Sequence, residues 1–313
     1  MDHQPHPGVD SPRGASVRMA DLFPSGFDQT YFCDAPWSER VKRWVADRID
    51  VGFSGGNEKI VRRSLEDSET GLRVVVNITA VSLLVVFATN QYLNLYDRPR
   101  IGGKAPEPSE ARERVDKTLK LGQTTYFGAV ALGGTGVRYY GEYCMVLNLD
   151  QVADTTRLFD RDSFDILEEP LFDLILNEPS ADPSMTSQRI DALRGVWGPD
   201  RVDMAVRRVL PELGHDTRLV TSGTISDAVF RDQEFIEVHL DGSFEPNAIE
   251  EVRESPDETA IEMSLRGRAD RGIALTQTEQ EWLVRREIVV ELLAALRIPH
   301  RIVTLHGRGY QWA

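Results

Sequence analysis

Apolar residues recur along the chain with two different periods, and each period predicts one type of secondary structure. Short runs that are rich in β-branched residues, or that alternate between polar and apolar positions, predict β-strands. In 234–240 this alternation puts Ile236, Val238 and Leu240 on one face of a strand, with Glu237 and His239 on the other. Strands are predicted in this way at 72–78, 218–221, 234–240, 260–265 and 302–305.

Apolar residues at helical spacing, preceded by capping residues, predict helices. Thr276 suits the N-cap of a long amphipathic helix over 279–296, and Ser109 that of a polar helix ending near Lys120. The run 81–88 is apolar except for Ser82, so a buried strand and a buried helix both fit it. Further helices are predicted at 36–49 and 164–176, and two more in 186–210, divided by Gly198 and Pro199.

The densest apolar region, 126–149, contains a Gly-Gly-Thr-Gly sequence at 133–136. This arrangement predicts a β-hairpin whose second strand begins at 139. Because strands and helices are interspersed without strict alternation, the chain is expected to have an α+β fold with a mixed, largely antiparallel sheet core and flanking helices.

The polar, proline-rich residues 1–20 predict a disordered tail. Residues 21–313 are expected to form a single α+β domain, with 255–313 as a candidate C-terminal subdomain. A loop is predicted at 97–108, which holds three prolines and two glycines.

The charge and composition of the chain disfavour several classes of function and location. The 313 residues carry a net charge of −14, which disfavours sequence-blind binding to nucleic acid or to an anionic membrane surface. The N-terminus lacks the apolar segment of a signal peptide, and the run 81–88 is too short to span a bilayer. Cys33 and Cys144 do not make a disulfide framework. A cytoplasmic location without a membrane partner is therefore expected.

The glycine-rich segment 127–143 is the first candidate for ligand binding. Glycine amides can approach phosphate oxygens, Arg138 offers a planar fork for a phosphate, and Tyr139 and Tyr140 could stack on a flat ring. No Lys-Ser/Thr follows the glycines, so the segment is not a P-loop. An ordinary hairpin with aromatic cross-strand packing explains the same residues.

Carboxylate chemistry is the second candidate. If the apolar face of 234–240 packs on the core, Glu237 points to the opposite face, where it could hydrogen-bond a ribose hydroxyl and stabilise an oxocarbenium-like transition state. A solvated edge strand is the simpler alternative. Arg73, which shares a strand face with Asn77 and Thr79, could hold a pyrophosphate, or could lie on a half-exposed strand. The scattered histidines do not have the spacing of a metal site.

Taken together, these segments resemble the ADP-ribosyltransferase superfamily, which includes DNA-modifying toxins. The early strand would be 72–78, the middle strand 138–143 and the late strand 234–239, and the resemblance extends over 71–252. It implies a mixed α+β core that binds NAD as a substrate and transfers ADP-ribose to a protein or nucleic-acid acceptor. The segment 221–233 would recognise the target. The resemblance assigns the catalytic role to Glu237 and cofactor binding to Arg73, Arg138, Tyr139 and Tyr140.

Two other functions fit the sequence. Asp227, Glu237 and His239 could hold Mg²⁺ at a scissile phosphate, as in a metal-dependent nuclease. Alternatively, the acidic runs at 150–182 and 232–262 could bind a basic protein partner without catalysis.

Overall fold

The fold is known from a computed structural model of the chain. Its described residues are 36–42, 55–67, 71–94, 109–119, 121–122, 124–152, 154, 156–163, 194–213, 221–229 and 235–303. The predicted tail at 1–20, the predicted loop at 97–108 and the predicted helix at 164–176 lie outside these residues.

A single eight-stranded sheet dominates the described chain and confirms the expected α+β class. The strand order is β5-β4-β6-β2-β1-β3-β7-β8, and every pair is antiparallel except the parallel edge pair β7–β8. The strands are β1 Arg73–Ile78, β2 Thr125–Ala131, β3 Tyr143–Leu147, β4 Thr156–Phe159, β5 Arg194–Val196, β6 Glu237–Asp241, β7 Ile249–Glu254 and β8 His300–Ile302.

Nine α-helical segments accompany the sheet in the described residues. They are α1 at 37–42, α2 Gly55–Glu66, α3 Ala80–Thr89, α4 Glu110–Leu119, α5 Leu149–Val152, α6 Trp197–Leu213, α7 Ser222–Val229, α8 Pro256–Asp270 and α9 Gln277–Ala295.

Capping residues explain where several helices begin. The apolar run at 81–88 is helical, because Thr79 accepts a hydrogen bond from the amide of Ser82 and Asn90 ends α3 with a φ of 53°. Ser109 accepts from the amide of Arg112 at 3.1 Å, which confirms the polar helix α4. Thr276 and Glu279 form a capping box at the start of α9, so the predicted long helix is also confirmed.

The predicted hairpin at 126–149 is wrong. The strands β2 and β3 both pair with β1, which lies between them, so they run parallel to each other. Parallel strands cannot be joined by a tight turn. The connecting residues 132–142 instead cross the sheet, and Arg138–Tyr140 form a 3₁₀ turn rather than a strand. The positive φ values of Gly133, Gly134 and Gly136 allow the bends in this crossing segment.

Three shorter predictions also need correction. The segment 260–265, predicted as a strand, lies within α8, where Ser255 caps the helix and Pro256 occupies its first turn. In 186–210, the described residues form β5 and then one helix, α6, with Gly198 and Pro199 in its first turn. Of the predicted strand 218–221, only Thr221 lies within the described residues; it is not in a strand, and its hydroxyl accepts from the Thr224 amide at the start of α7.

The register gives the sheet one apolar face and one polar face. Directly paired residues point to the same side, so Val74, Val130 and Val238 share the apolar face. Met204 of α6 lies beside Gly195 on that face, and Arg286 of α9 reaches Tyr143 there. We define the polar face by its charged and polar residues, which are Arg73, Asn77, Glu237, His239, Glu251 and Arg253.

The crossing segment 132–142 covers part of this polar face. Asn77 donates from Nδ2 to the carbonyl of Thr135 at 2.8 Å and to that of Gly141 at 3.1 Å. At Gly136, a Cβ atom would lie only 2.2 Å from Oδ1 of Asn77. The glycines therefore serve close packing of the segment on the sheet as well as turning.

Replacement of Gly141 by alanine tests this packing. A Cβ at Gly141 would lie 2.0 Å from the carbonyl carbon of Ile78, at a φ of 156°. We expect Gly141→Ala to lower the free energy of unfolding by about 2–4 kcal/mol in urea denaturation, because strain and overpacking add. Gly267→Ala in α8 is the control, because nothing lies within 4 Å of its added Cβ. The control should be neutral or stabilising by up to about 1 kcal/mol, and equal losses in both variants would contradict the account.

Candidate active site

The polar face carries a buried carboxylate in the interior of the sheet. Glu237 and His239 lie two residues apart on β6, so their side chains project on the same side. Phe159 of β4 is paired with Glu237, and Phe127 of β2 with His239. Aromatic rings thus flank the two polar side chains.

Three hydrogen bonds hold the Glu237 carboxylate, which is only 3% exposed. Its Oε2 accepts from the backbone amide of Ser163 at 2.6 Å, and its Oε1 accepts from the Ser163 hydroxyl at 3.1 Å. Nε2 of His239 lies 3.0 Å from Oε1. A carboxylate has about four acceptor positions, so one position of Oε2 remains for a further donor.

The surroundings of Glu237 favour its ionised form. Burial by itself raises the pKa of a carboxyl group. Here the hydrogen bond and charge of His239, the charge of Arg112 and the Ser163 amide outweigh burial, and the pKa of Glu237 falls below its ordinary value of 4.5. The group is therefore an anion at neutral pH.

His239 is held between aromatic rings. Its imidazole stacks on Phe159 with centroids 5.9 Å apart and meets the edge of Phe127 at 5.4 Å. Because an ionised carboxylate can only accept, Nε2 of His239 is the donor to Glu237. Its Nδ1 is buried and has no hydrogen-bond partner in the described part of the chain. The ring is thus fixed in orientation with one nitrogen unsatisfied.

Arg112 connects helix α4 to Ser163, the residue that binds Glu237. Its Nη1 donates to the Ser163 hydroxyl at 3.3 Å, and its Nε donates to Asp116 at 2.7 Å. The guanidinium carbon lies 4.0 Å from the centroid of the Phe127 ring, within the range of a cation–π contact. Arg112 supplies positive charge beside Glu237 and orients Ser163.

The residues that follow β4 form the other wall of the site. Asp160, Arg161, Asp162 and Ser163 are all buried. Nε of Arg161 lies 2.9 Å from Asp160. Burial opposes ionisation of Asp160, but Arg161 and Arg207 lower its pKa below the ordinary value of 3.8. This ion pair anchors the turn that carries Ser163.

Of the residues predicted to bind a cofactor, Tyr140 lies nearest to this group. It meets Phe235 edge-on, with ring centroids 6.3 Å apart, and retains contact with solvent. Burial, followed by the charges of Asp162 and Glu237, raises the pKa of Tyr140 above its ordinary value of 10.0. The phenol therefore keeps its proton, and the crossing segment brings a neutral donor near Glu237.

The other predicted cofactor residues lie elsewhere. Arg138 is paired with Asp257 at 2.9 Å and Glu258 at 3.3 Å, at the start of α8. Tyr139 is exposed beside Tyr140, with ring centroids 5.1 Å apart. Arg73 begins β1, two strands away from Glu237, and its Nε lies 3.9 Å from Glu250.

Two residues of the site escaped the sequence analysis. Ser163 follows Asp-Arg-Asp directly after β4. In the sequence these residues belong to the acidic run at 150–182, and nothing else distinguishes them. Arg112 is one of several charged residues on the predominantly polar helix α4. No local pattern distinguished it, because its role arises from a contact with Ser163, 51 positions away.

The described residues offer no cluster of three or more histidine, cysteine, aspartate or glutamate side chains suited to a metal ion. Asp227, the third member of the nuclease hypothesis, is exposed on α7. Among the described helices, none combines the length and apolar character needed to cross a membrane. No family model, no curated protein and no solved structure matches the chain.

The lowered pKa of Glu237 predicts a pH-dependent stability difference. Its folded-state pKa lies below the ordinary value of 4.5, so the carboxylate stabilises the fold above that pH and loses this contribution as the pH falls through the folded-state pKa. At pH 7, Glu237→Gln should lower the free energy of unfolding by about 1–3 kcal/mol. Urea denaturation at a series of pH values should show the difference from wild type shrinking below pH 4.5. A difference that stays constant or grows on acidification would contradict the assignment.

Proposed function

We propose that the chain is an NAD-dependent ADP-ribosyltransferase that modifies a protein or nucleic-acid acceptor. The observation that carries this proposal is the ionised carboxylate of Glu237, fixed on β6 by Ser163 and His239, with the neutral phenol of Tyr140 close by. The resemblance to the superfamily assigned the catalytic role to this same glutamate.

The chemistry of the transfer needs such a carboxylate. The C–N bond between nicotinamide and ribose breaks, and nicotinamide leaves with the bonding electrons. Positive charge then develops on the ribose, and a fixed anion stabilises it more effectively than mobile water can. Glu237 is 3% exposed, so a ribose hydroxyl reaches the remaining acceptor position on its Oε2 only when the site opens. The acceptor nucleophile bonds to the anomeric carbon and releases its proton.

The neighbouring aromatic residues suit the flat nicotinamide ring. Tyr139 and Tyr140 both reach solvent and form an edge-to-face pair. A planar ring can stack on one of these faces while the ribose lies towards Glu237. The 3₁₀ turn Arg138–Tyr140 rests on β1, so this platform is attached to the centre of the sheet.

Arg138 remains the candidate for the pyrophosphate of NAD. Its present partner Asp257 is a largely exposed side chain, and exposed ion pairs contribute only about 0–1 kcal/mol. A pyrophosphate can therefore replace Asp257 at low cost and gain charge-assisted hydrogen bonds from the same guanidinium. Glu258, the second partner, is less exposed and would stay in place to orient Arg138.

The two alternative functions have less support. A nuclease would require metal ligands that the described residues do not group together. A surface for a basic partner would require a group of exposed acidic residues. In the acidic run at 232–262, Asp241, Glu245, Glu250 and Asp257 are exposed, whereas Glu237, Glu251 and Glu254 are buried and paired within the chain.

Release of nicotinamide from NAD is the direct test. Purified protein is incubated with NAD and a cell extract as the source of acceptor, and free nicotinamide is measured by chromatography and mass spectrometry. Glu237→Gln should reduce the rate by about 10²–10³-fold, because the transition-state charge loses its counter-ion. Asp241→Asn is the matched control, an exposed acid on the same strand. It should react at the wild-type rate.

The acceptor class follows from the same reaction mixture. Labelled ADP-ribose that is lost after protease treatment indicates a protein acceptor, and label that is lost after nuclease treatment indicates a nucleic acid. Equal rates of nicotinamide release by wild type and Glu237→Gln would contradict the proposal. The absence of any release by wild-type protein in the presence of extract would contradict it as well.

A further inference from the structure

Exposed apolar residues are concentrated at the C-terminal end of the described chain. Twelve large hydrophobic residues are exposed in the described regions, and eight of them lie between 261 and 302. Contiguous apolar surface is uncommon on monomeric proteins unless it serves an interaction, so the arrangement of these residues matters. These residues lie on α8, on α9 and close to their ends.

The helix α9 has apolar residues on two opposite sides. Its inner side buries Arg286, Val289 and Leu293. At 100° per residue, the opposite side carries a stripe spaced by four, four and three positions. We name this the outer stripe, and it consists of Val284, Ile288, Leu292 and Ala295. Val284 is 54% exposed and Ile288 is 40% exposed. A surface helix normally has polar residues in this place.

The neighbouring helix α8 adds to the exposed apolar surface. Only Leu265 is buried among its 15 residues, while Met263 is 65% exposed. Ion pairs fasten α8 to α9, with Arg286 bonded to Glu262 at 2.6 Å and Arg268 bonded to Glu279. The two helices therefore form a fixed surface, about 28 Å long by the length of α9.

The charges around the outer stripe indicate the partner. Residues 256–303 contain eight acidic and seven basic side chains, whereas the whole chain has a net charge of −14. Arg285 lies on one flank of the stripe and pairs with Glu281 of the same helix at 2.6 Å, and Glu287 and Glu291 lie on the other flank. A surface that binds a strongly basic or strongly acidic partner would carry charges mainly of the sign opposite to the partner. A nearly neutral surface with both signs is self-complementary, and it is where two acidic chains can meet with least repulsion.

We infer that two copies of this chain associate through the outer stripe of α9. The apolar stripes of the two copies pack against each other, as in helix pairs with residues at spacings of three and four. The surface is separate from Glu237, so association does not depend on the proposed transferase activity.

The oligomeric state of the full chain tests this inference. Sedimentation equilibrium over a wide concentration series should show a reversible approach to twice the chain mass of 35.2 kDa. Ile288→Arg should raise the dissociation constant at least about tenfold, because it puts a charge in the centre of the stripe. Val284→Glu is a second variant with the same expected effect.

Ile60→Arg on α2 is the matched control, because Ile60 is 41% exposed and Ile288 is 40% exposed. Circular dichroism and thermal melting establish that each variant is folded. A dimer that persists in Ile60→Arg but dissociates in the α9 variants supports the inference. A wild-type chain that is monomeric at every concentration overturns it, as does a dimer that neither α9 variant weakens. Binding of the stripe to a different protein, with no self-association, also overturns it.

Discussion

A carboxylate can remain charged inside a protein only if donors surround it, and this constraint organises the centre of the molecule. Ser163, His239 and Arg112 come from three separate parts of the chain, and all of them serve Glu237. Loss of one donor would leave the buried charge only partly compensated, which costs about 1–3 kcal/mol. The part of the polar face around Glu237 is therefore a buried environment that stabilises an anion rather than an exposed surface.

The strand order determines what else reaches that anion. Because β1 lies between β2 and β3, the chain between these two strands has to pass over β1, and it does so on the polar face. The crossing places Tyr140 beside Phe235 and near Glu237, while Asn77 holds the crossing segment against the sheet. Topology, carboxylate and aromatic side chain together create the arrangement on which the proposed transferase chemistry depends.

The sequence predicted the parts of this structure that are encoded locally. Alternation on 234–240 identified the face shared by Glu237 and His239, and capping residues identified α4 and α9. Glycines at 133–136 indicated a bend, but a hairpin and a crossing segment have the same local signature. Ser163, which binds Glu237, is 74 positions away from it in the sequence. Periodicity contains no information about contacts at that separation.

The pKa of Glu237 in the folded protein is the most direct test of the account. Carbon-13 NMR of protein labelled at the glutamate side-chain carboxyl carbon can follow this group, with Glu237→Gln providing the assignment of its signal. The account predicts that the Glu237 signal remains that of a carboxylate when the pH falls through 4.5, the ordinary value for glutamate. Titration at or above pH 4.5 would contradict the account, because it would mean that burial outweighs Ser163, His239 and Arg112.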